Sequence, residues 1–140
     1  MLMLEQWLAG VLDFNGSIGI RTGARQIQPY IAIYTRHREY LEQLREVWPG
    51  FSPPMFITRN VFMSQIVSIR GTLNILEKTQ PYLNRLYEIA ETVIKFCRSR
   101  LEHINVRYTI YELQLVEDVL RKTARPATLT RRLEVLEQWR

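Results

Sequence analysis

Cysteine is almost absent from this chain of 140 residues: Cys97 stands alone, so no internal disulfide can form and a cysteine-built zinc cluster is excluded. A chain without disulfides suits a reducing compartment. Lysine is scarce as well, with only Lys78, Lys95 and Lys122 among nineteen cationic side chains. No apolar run is long enough to cross a bilayer, and no basic stretch leads into an apolar one at the N-terminus. Internal repeats, low-complexity segments and flexible linkers are missing too. There is no glycine-rich phosphate loop, nucleophile elbow or cysteine–histidine pairing. His37 and His103 lack a second ligand at helical spacing, and Tyr108 and Tyr111 lack a basic partner to activate them. Surface or packing roles are expected of the histidines, and helix packing of the tyrosines. These absences describe a soluble, intracellular protein with no membrane partner and one domain over residues 1–140.

What is present begins with a sound core composition, 46% hydrophobic and 24% charged. A chain of this length buries roughly two-thirds of its unfolded surface without covalent staples. The formal charge is +5, and such a basic domain attracts polyanions, of which nucleic acid is the commonest inside cells. The preference for arginine points the same way, because a planar guanidinium matches phosphates and guanine edges.

Apolar spacing predicts a helix over 2–12, apolar on nearly every side and therefore buried in a core or against another chain. Gly16 is expected to break it, and strands over 17–22 and 26–35 follow around a turn at Gly23-Ala24-Arg25. The second strand alternates, with Ile27, Pro29, Ile31 and Ile33 on one face and Gln26, Gln28, Tyr30 and Tyr34 on the other. Period two with one apolar face means a sheet covered on one side only. A helix over 38–48 ends at Pro49-Gly50, and a hairpin of strands 55–59 and 62–69 turns near Asn60. Helices are expected over 73–83 (with Pro81 late in it), 86–98, 108–122 and, after a break at Pro126, 129–139. The order is αββαββα over 1–98, with C-terminal helices over 99–140: an α+β fold with helices on one face of an antiparallel four-stranded sheet.

Leu8-Ala9-Gly10-Val11-Leu12-Asp13-Phe14-Asn15-Gly16 resembles the nine-residue LAGLIDADG signature, matching it in identity at five positions. Gln80-Pro81-Tyr82-Leu83 resembles the Gln-Pro-Phe-Leu segment of the single-motif, chloroplast intron-encoded homing endonucleases of that family. The resemblance implies a homodimer in which two motif helices pack about a twofold axis. Trp7, Leu8, Ala9, Gly10, Leu12 and Phe14 would lie in that interface, with Ala9 and Gly10 small enough for the backbones to approach. It also implies that the polar sheet face grips double-stranded DNA in the major groove. Arg21, Gln26, Gln28, Tyr30 and Tyr34 share that face by parity with Gly19, and Arg25, Arg36, Arg59 and Gln65 lie at hairpin tips or on the second hairpin. Glutamine pairs with adenine and arginine with guanine, while tyrosine more often touches backbone.

The same resemblance places divalent metal at the last acidic position of the motif, where carboxylates hold Mg²⁺ for phosphodiester hydrolysis. Here that position is Asn15, whose neutral amide removes the charge that such a metal needs. A helix C-cap is the alternative role of Asn15, and a turn or cap is expected of Asp13. The basic residue expected after the Gln-Pro-Phe-Leu segment is replaced by Leu86, with Arg85 one position off. The glutamine expected at the end of the second strand is replaced around Thr35 or Ile33, and Phe14 stands where the family has a small residue. The sequence therefore reads as a degenerate active site: a sequence-specific DNA-binding homodimer without a cofactor, of the kind that regulates transcription. An active endonuclease using Mg²⁺ and an RNA-binding intron maturase are the alternatives.

Overall fold

A computed structural model describes residues 3–140; the expected helix start at Leu2 lies outside them. The first helix, α1 (Met3–Asn15), passes straight into β1 (Gly16–Thr22) with no intervening loop. Gly16 makes that corner by its lack of a side chain. A Cβ there would stand 2.7 Å from both the Cα and the carbonyl oxygen of Leu12, and no described glycine has a positive φ. The expected break is therefore a matter of space, and the helix runs three residues further than apolar spacing predicted.

The sheet is built from β1, β2 (Ile27–Thr35), β3 (Met55–Thr58) and β4 (Val61–Ile66), in the spatial order β1-β2-β4-β3 and antiparallel throughout. Alternation in β2 holds: Ile27, Pro29, Ile31 and Ile33 are buried, whereas Gln28 and Tyr30 are half-buried and Tyr34 is exposed. The isoleucines join Ile18, Ile20 and Ile66 in one core cluster with Leu8 and Leu12 of α1. Helices α3 (Ile69–Thr79), α4 (Tyr87–Glu102) and α5 (Ile110–Thr123) pack on the sheet, and α2 (Arg38–Val47) lies beside β2 and β4. The last helix, α6 (Pro126–Glu137), rests on α5 and β1.

Several boundaries differ from those that periodicity predicts, each for a local reason. Strand β4 ends at Ile66 because Ser68 caps a helix there, its hydroxyl accepting from the Gly71 amide at 3.0 Å. Pro81 consequently falls in a 3-10 turn, Gln80–Tyr82, after α3 rather than inside it. Helix α5 starts after Tyr108, where Thr109 and Glu112 form a reciprocal capping box. Pro126 opens α6 instead of preceding it, since a first-turn proline gives up an amide that has no helical partner. Tyr108 packs as expected, stacked on Phe96 with its hydroxyl accepting from the Ile27 amide at 3.0 Å. Tyr111 does not, for it is exposed on the outer side of α5.

Candidate nucleic-acid interface

Cross-strand register decides which side chains share the open face of the sheet. Arg21 stands opposite Gln28, Gly19 opposite Tyr30, Ala32 opposite Gln65, and Tyr34 opposite Met63. Side chains of directly opposed residues project to the same side. Arg21, Gln28, Tyr30, Tyr34 and Gln65 therefore form one surface, facing away from α3, α4 and α5. Tyr30 lies across it: its ring passes so close to Gly19 that a Cβ there would come within 2.8 Å of the phenol oxygen. The Tyr30 hydroxyl is 3.2 Å from the Ser17 hydroxyl, and the Arg21 guanidinium stacks 4.2 Å above the ring. Tyr30 is thus a platform that pre-orients Arg21. Burial, with the neighbouring Tyr30, raises the pKa of the Tyr34 phenol despite the opposing pull of Arg21, so at neutral pH Tyr34 remains a hydrogen-bond donor.

Gln65 sits at the centre of this face. Its backbone amide is satisfied by the Ser52 hydroxyl at 3.0 Å, while its side-chain oxygen is buried without a partner among the described residues. Gln26 and Gln28 line a separate shallow cleft with Pro29 and Ser68. Arg25 is exposed at the β1–β2 turn, and Arg59 is exposed at the β3–β4 turn.

Two arginines of this surface escaped the sequence reading. Arg131 and Arg132 of α6 line one cleft with Arg21, Thr22, Tyr30 and Tyr34. Helix α6 is tied to the sheet by Trp139, whose indole donates to the Gly23 carbonyl at 3.1 Å and whose ring meets Tyr108 edge-on at 5.0 Å. Three guanidinium groups from two elements converge there. The paired arginines were visible in the sequence, but only tertiary packing sets a C-terminal helix beside the first strand.

At the end of α1 the donor set is unusual. Both carboxylate oxygens of Asp13 are consumed by backbone amides, Asn84 at 2.7 Å and Leu86 at 3.0 Å, which leaves Asp13 the capping role expected of it. Arg85 donates to the carbonyls of Asp13 at 2.8 Å, Gly16 at 3.2 Å and Leu12 at 3.4 Å. A fixed guanidinium thus covers the negative end of the helix. Asn15 is exposed, and its φ is not in the left-handed region that an asparagine cap adopts; the capping of α1 falls to Arg85, which corrects the C-cap expectation for Asn15. Asn15 instead lines a cleft with Tyr34, Thr35, Arg36, His37 and Val61. Leu86 and Ile33 are buried in the core, so of the two positions considered for the missing glutamine only Thr35 reaches this cleft. No group of three or more His, Cys, Asp or Glu side chains able to hold a metal occurs among the described residues. The cleft thus offers a neutral amide and the Arg36 guanidinium, whereas divalent cations favour anionic oxygen.

The free side of α1 is narrower than the resemblance implied. Leu8, Ala9 and Leu12 have no exposed surface, being packed in the core of their own chain, so they are unavailable to a partner. What remains is a stripe of Leu4, Trp7, Gly10 and Phe14, with Phe14 85% exposed. A Cβ on Gly10 would meet nothing within 4 Å. Glycine in a helix interior costs roughly 0.5–1 kcal/mol relative to alanine, and nothing inside this chain requires that cost.

His103 has a structural place, its ring nitrogen 2.7 Å from the Ser99 carbonyl and 3.9 Å from the Glu112 carboxylate. Among the described residues no helix is long and apolar enough to cross a membrane.

No family model matches the sequence, and no curated protein matches it either. Solved structures do match. The homing endonuclease I-CvuI, in complex with its target, superposes with a TM-score of 0.77 at 16% identity, over 97% of this chain and 96% of that one. The archaeal intron-encoded homing endonuclease I-Vdi141I, complexed with DNA, gives 0.76 at 16% identity over 98% and 96%. The LAGLIDADG meganuclease I-CpaMI, bound to uncleaved DNA, gives 0.71 at 16% identity, and this chain covers only 51% of its length.

Proposed function

We propose that this chain, which has the LAGLIDADG homing-endonuclease fold, acts as a sequence-specific, double-stranded DNA-binding homodimer that holds its target without cutting it. Its own similarity to the solved proteins is one of fold. The functional reading rests on one observation: an arginine- and glutamine-bearing sheet face adjoins a motif end that no longer offers a free carboxylate. Phosphate contact falls to Arg21, Arg25, Arg36, Arg59, Arg131 and Arg132, and base reading to Gln26, Gln28 and Gln65. Such a division lets charge set affinity while amides and guanidiniums discriminate base edges.

Homodimerisation is supported from two sides. This chain covers about half of I-CpaMI, so two copies would be needed to match it. The exposed stripe Leu4, Trp7, Gly10 and Phe14 supplies an apolar face whose glycine lets two helices approach. Phe14 puts a ring where the helix ends meet, and we infer a pairing angle wider than small residues would give.

Regulation of transcription from a bound site is the role that follows. The decisive experiment is a fluorescence-anisotropy titration against randomised duplex DNA over a range of NaCl, with cleavage followed on gels in Mg²⁺ or Mn²⁺. Tight binding with a steep salt slope and intact DNA is expected. Products with short 3′ overhangs would make the protein an active endonuclease, and preference for structured RNA would make it an intron maturase. Absence of any salt-dependent duplex binding refutes the proposal.

A further inference from the structure

We infer that the motif end has been converted from a cation site into an anion site, in which Arg36 holds a DNA phosphate directly where relatives of this fold would place a metal ion. The inference rests on the DNA-binding reading above. Three observations on this chain combine. The only carboxylate of the motif, Asp13, has both oxygens bonded to the Asn84 and Leu86 amides and has none to spare. The carbonyls at the end of α1 are occupied by the Arg85 guanidinium, a fixed positive charge bonded on either side of Asn15 in sequence, at Asp13 and Gly16. The cleft beyond is lined by Asn15, Tyr34, Thr35, Arg36 and His37, and Arg36 has no carboxylate partner among the described residues.

The electrostatics follow from this inventory. A divalent ion entering the cleft meets the Arg36 guanidinium and a neutral amide, with no carboxylate in the lining, so the local field repels it. A phosphodiester meets the Arg36 cation, with the Asn15 amide nitrogen and the Tyr34 hydroxyl as further donors. In that setting Asn15 is the appropriate residue, because an aspartate would pair with Arg36 and repel the phosphate. The site then contributes to affinity and register without lowering any barrier to hydrolysis. No nucleophile is activated there, and no Lewis acid stabilises a leaving oxygen.

The test compares four proteins on one duplex selected by the wild type: the wild type, Arg36→Gln, Asn15→Asp, and Arg98→Gln as a control. Arg98 is paired with Glu77 on the helical side of the molecule. Anisotropy is read across NaCl, once in EDTA and once in Mg²⁺, with circular dichroism to show that each variant is folded. Wild-type affinity is expected to be no tighter in Mg²⁺ than in EDTA. Arg36→Gln should bind about tenfold more weakly, with a salt slope lower by roughly two, one phosphate per protomer of a dimer. Asn15→Asp should also bind more weakly in both buffers and leave DNA uncut, whereas Arg98→Gln should match the wild type. An Arg36→Gln protein with wild-type affinity and slope overturns the inference while leaving the DNA-binding reading intact. So does an Asn15→Asp protein that gains affinity in Mg²⁺ and cuts. A wild type that binds no duplex removes both.

Discussion

Glu112 shows how one buried side chain organises the C-terminal third of the molecule. It is fully buried on α5, accepts from Arg100 at 3.0 Å and from Ser99 at 2.8 Å, and closes the capping box on the Thr109 amide at 2.8 Å. Burial alone would raise its pKa, but these donors and the Arg100 charge outweigh it and hold the carboxyl below its ordinary value. A lowered folded-state value means the contribution is present above the unfolded carboxylate's pKa and is lost as pH falls through the folded one. Glu112→Gln leaves Arg100 buried and uncompensated, a loss of about 3–5 kcal/mol. Urea denaturation at neutral pH reads it, and the difference from wild type should shrink on acidification. At Gly10 the sign reverses. Gly10→Ala should raise the stability of dilute protein by about 0.5–1 kcal/mol while weakening self-association in sedimentation equilibrium; unchanged association would move the twofold axis away from α1. Cys97 is a residue for packing only: burial, with Glu77 nearby, pushes its thiol up to about 12, so it stays protonated and inert at neutral pH.

Among the elements, the hairpin of β3 and β4 carries a visible conformational cost. Its two turn residues, Arg59 at φ 47° and Asn60 at φ 65°, both adopt left-handed conformations, the pattern of a two-residue hairpin whose twist matches its strands. Asparagine tolerates that region and arginine does so at a cost. Arg59→Gly should therefore raise the thermal midpoint, by an amount equivalent to about 1 kcal/mol, and lower duplex affinity through loss of a charge. A gain in stability without loss of affinity would remove Arg59 from the DNA surface. Helix α6 owes its part in the site to tertiary packing. Its arginines line a cleft shared with Arg21 and Tyr30 because α6 packs on α5 and β1 and Trp139 ties its end to Gly23. Replacing Arg131 and Arg132 together by glutamine should weaken duplex binding uniformly across sequences and flatten the salt slope by roughly two per protomer. A change confined to particular base positions would make them base readers instead.

For the whole molecule, the fold divides its labour between two faces of one sheet. The covered face spends its isoleucines on a core shared with α1, α3, α4 and α5, and that core fixes the register of the open face. The open face keeps arginine, glutamine and tyrosine at alternate positions, with Gly19 giving room for Tyr30. Because α1 runs without a loop into β1, the motif end is held rigidly against the edge of that face. Whatever packs on the stripe of Trp7, Gly10 and Phe14 is thereby coupled to the placement of the strands of the open face.

The loss of acid at position 15 was legible only through the resemblance to the LAGLIDADG signature, whereas alternation in β2, the apolar character of α1 and the glycine at its end were legible from residue order alone. Each depends on near neighbours in the chain, through the periods of strand and helix. The αββαββα order and the polar face followed from the same periodicities. Contacts between distant segments were not legible. Nothing local shows that Asp13 is spent on amides more than seventy residues away, that Arg85 caps α1, or that Arg131 and Arg132 meet Arg21. Nor could apolar spacing separate the α1 residues that fill their own core, Leu8, Ala9 and Leu12, from those left for a partner. Sequence alone determined the elements and their faces; the tertiary structure decided which charges are free, because a charge is free only when no distant backbone or carboxylate has claimed it.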